Sequence, residues 1–245
     1  MFIVSLPLVR RDQGWGGRPV RRPELPPPLP REGAGVTLNP PLRIPGITEL
    51  PPSAAGMRIG LFGGSFNPMH AGHLLVMGET LRRLELDALW VLVTPGNPLK
   101  DNSGLPPLAG RVRAARAMIA DPRIRVTGFE AARGFTYTWQ TIRFLTRSMP
   151  DRRFVWIMGA DSLADFHRWE RWRDIAAMVP MAIYVRPGSS RRALASRAAT
   201  TLDHAQLDET DAPLLARARP PAWVYLHGRQ STLSSTAIRS GRLTK

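Results

Sequence analysis

Two short segments carry residue types that could do chemistry on a phosphate. The first is Gly63-Gly64-Ser65-Phe66-Asn67-Pro68-Met69-His70-Ala71-Gly72-His73. Its paired glycines let a backbone approach a phosphate with no Cβ in the way. His70 and His73 are spaced to share one face of a first helical turn. Two imidazoles there can donate hydrogen bonds to phosphate oxygens as negative charge builds in a transfer reaction. The same spacing also suits a metal pair or two ordinary helix histidines. The second segment is Ser234-Ser235-Thr236-Ala237-Ile238-Arg239. Small hydroxyl residues cap a helix, and with the N–H groups of its first turn they form an anion pocket. Arg239 follows one turn in, where its planar fork reaches the same phosphate. By itself this segment reads equally as a plain capped surface helix.

These segments need elements to position them. Arg58–Phe62 is a short apolar run closed by Gly63-Gly64, which predicts a buried strand and a tight turn. Leu74–Leu84 has helical spacing, and Ala88–Thr94 is a second buried strand stopped by Pro95-Gly96. Helices are expected at Leu108–Ala120, Thr138–Ser148 and Trp172–Met178. Strands are expected at Ile124–Thr127, Arg153–Met158, Met181–Val185 and Ala222–Leu226, and a last helix starts at Ser235–Arg239. Residues 189–220 carry a weaker pattern, an Arg- and Ala-rich helix followed by loop. Strand and helix alternate, which predicts an α/β fold: a Rossmann-like, doubly wound parallel sheet with helices on both faces. The first segment then falls between a strand and a helix, beyond a strand's carboxyl end, where such sheets bind ligands. It is neither a Walker loop nor a G-x-G-x-x-G turn.

Together, GxFxPxHxGH after the opening strand and SSTxIR near the end resemble the nucleotidyltransferase superfamily, whose fold is related to class I aminoacyl-tRNA synthetases. The resemblance implies that His70, His73, Ser235, Thr236 and Arg239 hold the phosphates of ATP, with Gly63, Gly64, Ser65 and Phe66 forming the turn that cradles them. Asn67 stands where the family usually has Asp, so any role of that carboxylate is missing here. Three further segments resemble nicotinate mononucleotide adenylyltransferases. Gly159-Ala160-Asp161-Ser162-Leu163 looks like a GxDSL element, with Asp161 orienting substrate hydroxyls or backbone. Trp169 matches an aromatic that stacks on the pyridine ring. Glu130, Arg133, Tyr137, Thr138 and Thr141 resemble an E…R…SYTxxT run, with Thr136 replacing Ser. Pro95…Pro98-Leu99-Lys100 resembles a PxxPHK loop, with Leu99 replacing His and Lys100 as a mobile phosphate contact. The implied reaction is in-line attack by the 5′-phosphate of nicotinate mononucleotide on the α-phosphorus of ATP. Mg2+ would be held mainly by the phosphates.

Composition bounds the rest. The chain has 245 residues, 43% hydrophobic, enough for one α/β domain and an appendage. It has no cysteine, which excludes disulfides, thiolate metal sites and a Cys nucleophile. The net charge is +15, almost all of it from Arg scattered along the chain, Lys100 and Lys245 being the lysines. Scattered charge attracts a polyanion such as ATP but is not the clustered stripe of a nucleic-acid surface. No apolar run is long enough for a membrane span, and Arg10-Arg11 follow rather than precede the apolar Met1–Val9, the wrong order for a signal peptide. The expected setting is cytoplasmic, with ATP and nicotinate mononucleotide as partners and neither nucleic acid nor membrane. Of the 24 prolines, 12 fall in residues 1–56. Proline cannot feed a helix or sheet ladder, so this stretch is expected to be a disordered or extended Pro- and Arg-rich tail, or a proline-rich ligand for a partner domain. Met57 is then a candidate start for the 57–245 nucleotidyltransferase domain.

Overall fold

A computed structural model of the chain describes residues 41–96, 102–185 and 190–228, all within the unit Thr37–Lys245. Seven strands form one sheet: β1 (Arg58–Gly64), β2 (Ala88–Val93), β3 (Ile124–Thr127), β4 (Arg153–Gly159), β5 (Met181–Tyr184), β6 (Gln206–Leu207) and β7 (Trp223–Leu226). Every pairing between them is parallel. The strand order is β3-β2-β1-β4-β5-β7-β6. The chain therefore winds outward from β1 to β3, then returns to lay β4 on the other side of β1. That reversal opens a crevice beyond the carboxyl ends of β1 and β4.

The helices are α1 (Ala71–Arg83), α2 (Leu108–Met118), α3 (Phe129–Ala132), α4 (Thr138–Ser148), α5 (Ala160–Asp165), α6 (Trp172–Met178), α7 (Ser190–Leu194) and α8 (Arg197–Thr201). A parallel sheet is covered on both faces, so its strands are apolar throughout rather than alternating. In β2 (ALWVLV) every residue is buried. Leu61, Trp90, Leu92 and Trp156 face one core, shared with Ile142 and Leu145 of α4 and Ile175 of α6. Phe62, Leu89, Val91 and Ile157 face the other, shared with Val76 and Met77 of α1, Val112 of α2 and Leu215 of the 3-10 stretch Glu209–Arg217. Among the described residues no helix is long and apolar enough to cross a membrane.

Several boundaries differ from the sequence reading. Strand β1 runs on through Gly63 and Gly64, which pair with Leu92 and Val93. Helix α1 begins three residues earlier than its apolar spacing suggests, because His70 caps it. The short helices α3, α5, α7 and α8 were not legible as separate elements, since one turn is too short to show a period. The expected helix at Ser235–Arg239 lies outside the described residues, as do residues 1–40.

Residues 41–56, expected to belong to the tail, dock on the sheet's β3 edge without helix or strand. Gly128 donates its N–H to the Ile47 carbonyl at 2.8 Å, and Leu42 donates to the Ala131 carbonyl at 2.8 Å. The Thr127 hydroxyl donates to the Glu49 carbonyl at 2.6 Å. Arg116 of α2 donates to the Gly46 carbonyl at 2.7 Å. Proline costs a segment its N–H donors but leaves its carbonyls, and an edge strand has donors to spare. Ile47 seals the contact by burying its side chain in the second core. Ile47→Ala is expected to destabilise the fold by about 2–5 kcal/mol, the range for emptying a buried aliphatic site. Urea unfolding measures it, and a cost under ~0.5 kcal/mol would mean that this strap is not docked in solution.

Candidate active site

The turn after β1 is shaped by packing. A Cβ on Gly63 would lie 2.7 Å from Trp156 Cη2, and one on Gly64 would lie 3.1 Å from Phe66 Cζ. Gly63 is therefore required by the indole of the neighbouring strand, which is a different reason from the phosphate approach expected of it. Phe66 sits at φ 45°, in the left-handed region. A non-glycine there costs roughly 1–2 kcal/mol, offset by burial of its ring edge-on against Phe62 at 5.6 Å and His73 at 5.1 Å. The peptide bond between Asn67 and Pro68 is cis.

His70 and His73 cap α1 reciprocally. The Gly72 N–H donates to His70 Nδ1 at 3.2 Å, and the His70 N–H donates to His73 Nδ1 at 3.2 Å. The arrangement follows the logic of a capping box with imidazoles in place of hydroxyl and carboxamide. It also fixes chemistry. An Nδ1 that accepts cannot carry a proton, so each ring is neutral and bears its N–H on Nε2. The rings lie 3.8 Å apart, both buried. The pair thus presents two Nε2–H donors at a helix N-terminus, where the dipole already favours an anion.

Behind this turn lies a residue that the sequence reading did not single out. Arg111 of α2 is 4% exposed. Its Nη1 donates to the carbonyls of Ser65 and Thr94, each at 2.9 Å, and its Nε to the Pro106 carbonyl at 2.9 Å. Burial pushes its pKa down from the usual arginine value. A signal was available: Leu108, Arg111, Val112 and Ala115 form the buried stripe of α2, so a charge stood on an apolar face.

The other predicted residues within the described range lie on or beside β4, the helices that flank it and α3. Asp161 is exposed in the first turn of α5, directly after β4. Trp169 packs its indole edge-on against Trp156 at 6.2 Å and Phe166 at 5.4 Å. Tyr137 is the N-cap of α4 and Thr138 its first residue. The Gln140 carboxamide oxygen accepts the N–H groups of Thr136 and Tyr137 at 2.9 and 3.0 Å, which fixes the loop entering α4. Glu130 of α3 is buried, and the Thr141 hydroxyl donates to its Oε1 at 2.6 Å. Burial raises the Glu130 carboxyl to about 7, against the smaller opposing effect of that hydrogen bond. Arg133 lies over the Phe144 ring at 4.4 Å. Lys100, Ser235, Thr236 and Arg239 lie outside the described residues.

Comparison with known proteins follows the same line. The Cytidylyltransferase-like family model matches residues 61–241. A Brucella abortus protein named "Probable nicotinate-nucleotide adenylyltransferase" is 54% identical over 189 residues, covering 77% of this chain and 97% of that protein. A Methylorubrum extorquens protein of the same name is 56% identical over 184 residues, covering 75% of this chain and 100% of its own. Among solved structures, Plasmodium falciparum nicotinic acid mononucleotide adenylyltransferase complexed with NaAD superposes with a TM-score of 0.57 at 16% identity, covering 75% of this chain and 83% of that one. That likeness is one of fold.

Glu130 gives a pH test. Its folded pKa is raised above the unfolded value of 4.5. The unfolded state therefore loses its proton first as pH rises, and stability is lost between pH ~4.5 and ~7. Glu130→Gln removes this dependence and still accepts from Thr141. In urea unfolding the variant is expected to match the parent near pH 4.5 and exceed it at pH 7.5, by on the order of 3 kcal/mol. Parallel stability curves across that window would contradict a buried carboxyl of raised pKa.

Proposed function

The chain belongs to the Cytidylyltransferase-like family and, within it, to the nicotinate-nucleotide adenylyltransferases; from that premise we propose how its residues move an adenylyl group from ATP to nicotinate mononucleotide. The products are nicotinate adenine dinucleotide and pyrophosphate, so the enzyme is a nucleotidyltransferase of NAD biosynthesis. The observation that carries the mechanism is the imidazole pair at the start of α1, with both Nδ1 atoms engaged in the cap.

The acceptor's phosphate is ionised near neutral pH, so the reaction needs no strong general base. Its barrier falls through positioning and charge stabilisation. His70 and His73 donate from Nε2 to the α- and β-phosphates, where charge builds as the bond to pyrophosphate breaks. Because the cap locks both tautomers beforehand, no ring reorganises during transfer. The backbone of Gly64 and Ser65 holds one phosphate group. Ser235, Thr236 and Arg239 hold the β- and γ-phosphates, and Lys100 adds a contact from its loop. On the acceptor side, Trp169 offers an aromatic face to the pyridine ring. Asp161, Tyr137 and Thr138 orient the mononucleotide across the crevice from the imidazoles.

The donor set suits a nucleotide-borne Mg2+. Imidazole and backbone N–H groups engage phosphates by hydrogen bonds and leave other phosphate oxygens to a hard cation that prefers oxygen. Among the described residues no three His, Cys, Asp or Glu side chains gather as a metal site. When bound, Mg2+ neutralises phosphate charge.

Pyrophosphate release, measured across acceptors, tests the proposal. Nicotinate mononucleotide is expected to support turnover well above nicotinamide mononucleotide, because a site that satisfies a carboxylate discriminates against its neutral analogue. Equal rates would remove the assigned acceptor. His73→Ala is expected to lower kcat at least ~100-fold, the scale for losing a transition-state donor. A folded variant with near-native kcat would take His73 out of the mechanism.

A further inference from the structure

We infer that Arg111 is a positioning residue for the ATP phosphates: it fixes the turn after β1 through its carbonyls and places a stationary positive charge behind it. The inference rests on the reading that this turn holds ATP, and deepens it by naming a group that touches no reacting atom.

Three observations converge on Arg111. First, its bonds join three separate segments. Ser65 follows the carboxyl end of β1, Thr94 follows that of β2, and Pro106 precedes α2. One planar guanidinium thereby ties the two strand ends that border the site to the helix behind them. Second, the bonds set backbone direction. Within a trans peptide the C=O and the following N–H point in opposite directions. Drawing the Ser65 carbonyl toward Arg111 turns the Phe66 N–H away from α2. The left-handed conformation of Phe66 holds that orientation. Third, the charge is unmatched. No carboxylate among the described residues pairs with Arg111, and its hydrogen bonds all go to neutral carbonyls.

A buried cation without a counter-ion is expensive. Desolvation costs several kcal/mol, which its three carbonyl partners offset only in part. The contrast within the chain is direct. Arg58, at the opposite end of β1, is bound by both Asp87 and Glu85. At the carboxyl end no carboxylate among the described residues supplies the counter-charge to Arg111, and a bound triphosphate would supply it. The guanidinium keeps its proton at any working pH, so its field is constant while the neutral imidazoles donate in front of the turn.

The test compares Arg111→Met, which keeps volume and loses charge, with Arg111→Lys, which keeps charge and loses the fork. Steady-state pyrophosphate release is measured with ATP and nicotinate mononucleotide varied separately, alongside Tm. For Arg111→Met the KM for ATP is expected to rise at least ~10-fold, the scale of losing charged hydrogen-bond support. The KM for nicotinate mononucleotide should stay within ~3-fold, whether or not Tm falls. Arg111→Lys should recover most of the ATP defect. If Arg111→Met does not fold, Arg111→Gln replaces it under the same criteria. Two results overturn the inference: an ATP KM and kcat within ~2-fold of the parent, or equal rises in both KM values with a lower Tm that Lys does not repair. The parent enzyme serves as the control. Absence of turnover there would sink the functional reading itself, whereas a normal parent beside a normal Arg111→Met removes Arg111 alone.

Discussion

A parallel sheet buried on both faces leaves its strand ends as the place where backbone can meet a ligand. In this chain that constraint concentrates on β1, which lies between β2 and β4. The contact that makes β1 and β4 neighbours is tight: the Trp156 indole occupies the space that a Cβ on Gly63 would need. The turn that follows β1 thus starts from a backbone position set by the next strand's side chain. The cap of α1 starts a few residues later, and the imidazoles inherit their place from both.

The charges follow the same polarity. At the amino end of the sheet Arg58 is neutralised by Asp87 and Glu85, and Asp87 is held below the usual carboxylate range by that partnership with Arg58. At the carboxyl end the groups are tuned the other way. The two imidazoles are neutral donors, and Arg111 has no acidic partner among the described residues. Glu130, the buried carboxyl of α3, is biased toward its neutral form by desolvation. A helix start and a buried cation tuned so favour an incoming anion.

The N-terminal strap shows what composition can hide. Its prolines remove the donors that a ladder needs, and by pattern the segment looks unstructured. Its carbonyls nevertheless accept from Gly128 and Thr127 at the β3 edge, its Leu42 N–H donates to Ala131, and Ile47 supplies the apolar seal. The strap thereby grips both ends of α3, whose Glu130 is joined through Thr141 to α4. The start of α4, with Tyr137 as its cap and Thr138 as its first residue, is reached from outside the sheet through α3 by a segment that forms no regular element.

By itself the sequence determined whatever repeats or spaces itself locally. The alternation of apolar runs with helical stripes gave the parallel α/β architecture, and β3 and α4 match their expected limits. The imidazole pair was legible because a three-residue spacing on a helix start is a local geometry. What only the tertiary structure decided is non-local. The return of β4 to the side of β1, the indole that makes Gly63 obligatory, and the carbonyls that Arg111 reaches all join residues far apart in sequence. No periodicity records such partners, because a side chain's neighbours across a sheet are set by strand order and register rather than by the residues beside it in the chain. Arg111 makes the division plain: its place on the buried stripe of α2 was written in the sequence, but that its charge would stand behind the turn after β1 was settled by the packing of α2 against the ends of two strands.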